Sequence, residues 1–168
     1  MDRTFRVRLF HRRLCAAARG LAVTACLAAA SALAAPAEIS ILGDWEIVEA
    51  EPGPWTDPAD RPALMSEGKR MRKLVISFAA NQVHSKHRAF SCTRGVTYEP
   101  NSLDPDSIFQ GNLPEPNPTA AALRMGFARS AIPGVDVRCL KATYTFHFRD
   151  RNTTLFNLDN VIYTLKRR

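Results

Sequence analysis

In the C-terminal half of the chain, apolar residues recur at every second position, the spacing of strands with one buried face. Tyr144, Phe146 and Phe148 alternate with Thr143, Thr145 and His147, and Val161, Tyr163 and Leu165 repeat the pattern. Asp150-Arg151-Asn152 reads as a turn between them, and Leu158-Asp159-Asn160 as a turn or bulge. Upstream, Ile39, Ile41, Trp45 and Ile47 share one parity against Asp44 and Glu46, so a half-buried strand begins near Ser40. Leu74, Ile76 and Phe78 resume the alternation. Ala80-Asn81-Gln82 then turns the chain, which predicts a hairpin of Arg72–Phe78 with Gln82–Cys92. The stretch RGVTYEP reads as a further short strand that Pro100 stops.

Two segments break the alternation. EPGPWTDPADRP, which carries Trp55, is too rich in proline for a ladder or a helix interior and reads as a loop. SLDPDSIFQGNLPEPNP, which carries Phe109, is irregular. Asn117 is a good helix N-cap, and Pro118 suits the first helical position because its missing N–H costs nothing there. Ala120, Leu123 and Phe127 then share a helical face, and Gly126 and Pro133 end it, giving one short helix over Thr119–Ala128. The expected fold is mainly β: an antiparallel small barrel or sandwich of six to eight strands with one short helix.

The N-terminus changes how composition is read. Arg3, Arg6, Arg8, Arg12, Arg13 and Arg19 precede the apolar run GLAVTACLAAASALAAPA, and Ala32-Leu33-Ala34 matches a small-x-small cleavage site. This is the layout of a secretory signal over residues 1–34, leaving one domain over 35–168. The apolar run is short for a membrane span, so no stable span is expected after cleavage; an uncleaved anchor and lipidation at Cys26 are the alternatives. The whole chain carries 23 basic and 16 acidic residues, net +7. Six of those bases and one acid lie in the leader, so residues 35–168 keep 17 and 15, net +2. The basic balance belongs to the leader, and a nucleic-acid partner is not expected. Cys15 and Cys26 leave with the leader. Cys92 and Cys139 remain, an even pair that in an exported chain reads as a disulfide. The expected location is the periplasm of a Gram-negative bacterium, or the medium.

Gly43-x-Trp45 on the first strand, after an export signal, resembles the opening of the lipocalin-like group of small barrels. In that group the tryptophan closes one end of the barrel. The chain also resembles small uncharacterised envelope proteins of Gram-negative bacteria in its LDNVIYTL segment, which implies location and no activity. It is similar to lysozyme-inhibitor barrels in size and in its single disulfide. Trp45 filling a core is compatible with a cavity above it.

Candidate chemistry is sparse. His84 and His87 form His-x-x-His, but positions three apart on a strand face opposite ways. His147 lies opposite the aromatic face of its strand. If His84 and His147 both entered a barrel, a metal or acid–base site would follow. His147 and Asp150 lack a nucleophile, and there is no nucleophile elbow, phosphate loop or dinucleotide fingerprint. No cofactor is expected and nothing demands an enzyme. The leading expectation is an exported binding protein that holds a small apolar ligand, or an envelope protein, at the barrel mouth and Pro-rich loops through Trp45, Trp55, Phe109, Phe127 and Tyr144. The alternatives are a metal-handling or hydrolytic protein using His84, His87 or His147, and a structural or inhibitor-like envelope component.

Overall fold

A computed structural model describes residues 39–113, 117–127, 131–139 and 142–168. The leader expected over residues 1–34 lies outside them. The strands are β1 (Gly43–Pro52), β2 (Val75–Ala79), β3 (Gln82–Ser85), β4 (Val96–Leu103), β5 (Ile132–Cys139), β6 (Ala142–Asp150), β7 (Thr153–Leu158) and β8 (Val161–Arg167). The helices are α1 (Arg61–Met71) and α2 (Pro118–Arg124), with 3-10 turns at Arg88–Phe90 and Pro105–Phe109. All strands pair antiparallel in one sheet of order β3-β2-β1-β8-β7-β6-β5-β4, which curls into a nearly closed barrel. The mainly-β expectation therefore holds at its upper strand number.

β1 is the hinge of this order because it pairs on both sides. Its first half faces β2, Gly43 to Phe78 through Glu46 to Val75. Its whole length from Trp45 faces β8, with a bulge between Ile47 and Glu49. The second half has no β2 beside it, and α1 packs there instead. Gly68 permits that approach: a Cβ at this position would lie 2.8 Å from the Cβ of Ala50.

The free edges are β3 and β4. Three bonds draw them together. Tyr98 of β4 donates its hydroxyl to the Ala79 carbonyl at 2.6 Å. Cys92 pairs with Val83 in an isolated bridge beyond β3. Cys92 is also bonded to Cys139 on β5, the expected disulfide. It closes a segment 47 residues long, which in the chain-entropy picture stabilises by about 4 kcal/mol.

The barrel interior is filled. Trp45, Ile47, Ile76, Phe78, Val137, Phe146, Phe148, Phe156, Tyr163 and Leu165 form one buried cluster. Phe90, from the turn after β3, enters the same cluster and meets Phe156 edge-on at 5.5 Å. A second cluster lies on the outer face of the sheet. Leu155 and Ile162 alternate with the inward Phe156 and Tyr163, so they point outward. There they pack under Ile108, Phe109, Ala121, Ala122 and Phe127, with Trp55 and Leu103 at its margin.

Trp45 is buried in the interior cluster and pairs with Arg167 at the end of β8. Its indole N–H donates to the Ile41 carbonyl at 2.6 Å, and the Arg167 guanidinium lies over its ring at 4.3 Å. Arg167 also donates to the carbonyls of Leu42, at 2.6 Å, and of Ser40. Gly43 has φ +116, and a Cβ there would approach the Arg167 guanidinium to 3.0 Å. The glycine in Gly-x-Trp thus supplies both the backbone angle and the room for the arginine.

Four details differ from the sequence reading, the first being that β3 ends at Ser85 and not at Cys92. There are two short helices, because α1 occupies residues placed partly in a loop and partly in no element. Pro100 does not stop β4, which continues to Leu103 with Pro100 opposite Val135. An edge strand tolerates a residue without an N–H. The predicted cap of α2 is present: Asn117 Oδ1 accepts from the Ala120 N–H at 2.9 Å. The helix itself stops at Arg124, short of Ala128.

Arg167→Ala should lower the free energy of unfolding by roughly 2 kcal/mol, from the lost ring contact and carbonyl bonds. Arg167→Lys should recover only part, because an ammonium lacks the planar fork. Denaturant titration of the three proteins at one salt concentration measures both. Reducing Cys92–Cys139, or replacing both cysteines with serine, should cost up to about 4 kcal/mol in the same assay.

Candidate functional site

The residues expected to hold a ligand separate into two groups. Trp45 is buried in the barrel interior. Tyr144 packs near Phe90, donating its hydroxyl to the Ala89 carbonyl at 2.9 Å. Trp55, Phe109 and Phe127 come together, but in the outer cluster rather than at a mouth. Trp55 meets Phe109 edge-on at 6.5 Å and donates its indole N–H to Asn160 Oδ1 at 3.0 Å. At the barrel mouth, Phe90, Phe78, Val83, Val137 and Tyr144 border a recess of only about 20 Å³. A water needs about 10–15 Å³ of such space, so this recess has room for about one water and not for a larger ligand.

The histidines diverge as well. His84 alternates with the buried Val83 and Ser85, so it points out of β3 and is exposed. His87 is exposed beside Phe90, ring to ring at 5.4 Å. His147 also points out of the barrel, but it is 2% exposed. Among the described residues, no three His, Cys, Asp or Glu side chains gather as a metal site.

His147 is buried because a distant segment covers it. Pro105 opens the 3-10 turn, whose Ile108 and Phe109 anchor in the outer cluster. Gln110, at φ 55, and Gly111, at φ 69, then turn the chain away. This docking sets the Ser107 hydroxyl 3.0 Å from His147 Nε2. Asn157 of β7 clasps the turn from the other side, donating its Nδ2 to the Ile108 carbonyl.

Between the turn and the sheet lies a cavity of about 150 Å³. Ser107 and Gln110 border it from the turn, Thr143, Thr145 and His147 from β6, and Asn157 from β7, with Tyr144 at its margin. The borders are almost entirely polar. Behind Thr145 stands Asp136 of β5, which accepts the Thr145 hydroxyl at 2.7 Å and the Asn101 amide at 2.7 Å.

Among the described residues, two buried atoms on residues that border the cavity lack partners: His147 Nδ1 and Asn157 Oδ1. Buried polar atoms are rarely left so, since each costs about 1–3 kcal/mol. The Ser107 hydroxyl has one proton, and the Asp104 carbonyl is 2.5 Å from its oxygen. With that proton assigned to Asp104, we assign the ring proton to His147 Nε2, which leaves Nδ1 as an acceptor without a partner in hydrogen-bond geometry.

Burial lowers the His147 pKa to about 4, and the Leu155 backbone and the Asp136 charge, which pull upward, do not offset it. The ring is therefore neutral at neutral pH. The Ser107–His147 contact has the spacing of a nucleophile and its base. Among the contacts found at this site, however, no carboxylate hydrogen-bonds Nδ1 to orient the ring, and the serine proton is directed elsewhere. This geometry fits hydrogen bonding to a guest better than acyl transfer.

Ser107, Gln110 and Asn157 were not singled out by the sequence. The usable signal was Ile108-Phe109, an apolar pair in a polar, Pro-rich stretch, which had to be buried against something. Comparison with known protein families, with curated proteins and with solved structures gives no match.

The unfolded chain protonates His147 near pH 6.5, whereas the folded protein resists until about 4. Below pH 6.5 the unfolded state binds the extra proton, so stability falls with pH through this window. The loss saturates near pH 4 at about 3 kcal/mol. His147→Gln should abolish that component. The stability difference between wild type and variant, measured by denaturant titration at pH 7.5 and 4.5, should shift by most of this amount; an unchanged difference contradicts the assignment.

Proposed function

We propose that this chain is an exported periplasmic binding protein whose small-molecule ligand lies in the polar cavity outside the barrel. The observation that carries this reading is the pair of buried, unpartnered acceptors, His147 Nδ1 and Asn157 Oδ1, on two residues that border a cavity of about 150 Å³. A guest that bonds them removes a standing cost. A few polar groups converging on one recess are a feature of small-molecule sites. The filled interior argues against an apolar guest within the lumen.

Export is supported by the basic and apolar N-terminal pattern and by the Cys92–Cys139 disulfide, which belongs with an oxidising compartment. Among the described residues, no helix is long and apolar enough to cross a membrane. A hydrolytic role stands second. The Ser107–His147 contact favours it, and the unbonded Nδ1 weakens it.

Native mass spectrometry of the protein isolated from a bacterial envelope tests the proposal. The expected mass is that of residues 35–168 less two hydrogens, with an additional small species that denaturation releases. His147→Leu should lose that species. A chain that retains Met1, or carries lipid at Cys26, overturns the route. An identical set of bound species on wild type and variant overturns the site.

A further inference from the structure

Resting on the reading of the cavity as a ligand site, we propose that its guest is a small ammonium compound, a protonated amine rather than an anion or a neutral polyol. Gln110 and Thr143 are exposed at the rim; deeper in the wall the hydrogen-bond inventory is one-sided. Ser107 directs its proton to the Asp104 carbonyl, Thr145 to Asp136 Oδ1, and Asn157 its Nδ2 to the Ile108 carbonyl. The donors of three bordering side chains are thus committed away from the space, and their oxygens are left with spare lone pairs. Asn157 Oδ1 and His147 Nδ1 are bare acceptors. A guest must bring donors. An ammonium brings three and no acceptor, whereas each hydroxyl of a polyol brings one donor with two lone pairs of its own.

Charge points the same way. Among the described residues, no lysine or arginine borders the cavity. Arg138, opposite Thr143 in the ladder, is engaged by Glu99 at 2.7 Å. The Asp136 carboxylate stands one residue behind the wall, bonded to Thr145, and its negative charge compensates for the lost hydration of a cation. The same charge opposes an anion. The volume sets the scale: about 150 Å³ takes a group the size of benzene, about six heavy atoms.

The test uses the processed, disulfide-bonded protein, labelled with ¹⁵N, at pH 7.5 and constant ionic strength. Three probes of similar size are titrated separately: ethanolamine, glycerol and sodium acetate. Ethanolamine should produce saturable shifts in the amides of Ser107, Thr145, His147 and Asn157, and glycerol and acetate should not. Asp136→Asn, checked for an otherwise unchanged spectrum, should weaken ethanolamine about tenfold or more. If that variant fails to fold, the wild-type probe comparison decides alone. Saturation of these residues by glycerol or acetate, with ethanolamine inert, overturns the ammonium assignment while leaving the cavity as a ligand site. If none of the three probes moves them, both the assignment and the ligand site fall.

Discussion

The stack of Arg167 on Trp45 joins the two ends of the described chain, and the barrel depends on that junction. Trp45 is the third residue of the first strand and Arg167 ends the last. The guanidinium covers the indole and holds the backbone at Ser40 and Leu42, so the strand register of β1 against β8 is locked at its outer end. A one-residue slip there would turn every inward side chain of β8 outward. Gly43 is what lets the arginine in, and this gives Gly-x-Trp a mechanical meaning that does not involve a ligand.

With the interior packed, the sheet still has business on its other face. β6 and β7 are covered on both sides: aromatic residues inward, and His147, Thr145, Leu155 and Asn157 outward beneath the turn at 105–109. A strand buried twice over cannot leave its polar outward positions to water, so each needs a partner inside the protein. Thr154 meets this by donating to the His147 carbonyl at 3.0 Å. His147 and Asn157 meet it only in part, and the cavity lies where the accounting is incomplete.

Much of the fold was legible because strands advertise themselves locally. Alternation located β1, β2, β6 and β8, the turns at 151–152 and 159–160 separated the last strands, and Asn117-Pro118 announced α2. The helix α1 was not legible. RPALMSEGKRM has no side-chain cap and a glycine at its centre, and only the stripe Leu64, Gly68, Met71 against β1 makes it helical. Tertiary contact overrode weak propensity there. The site was half legible. Parity correctly set His147 opposite Phe146, but the residues that bury it lie 40 positions upstream at Ser107 and 10 downstream at Asn157. No local pattern predicts which segment folds over a strand. The aromatic residues chosen for ligand contact were drawn inward or into the second cluster, since large apolar rings in a chain this size are spent on packing.

Pro100 has a consequence for how copies of this protein meet. A barrel that stops short of full closure keeps a raw margin, and β4 is the longer of its two. Such a margin invites a neighbouring molecule to zip on. The proline sits mid-strand with no hydrogen to offer, so an incoming strand would find a rung missing halfway along. The same residue that made the strand look interrupted on paper serves as its insulation, and the protein can leave its rim unsealed without becoming adhesive to itself.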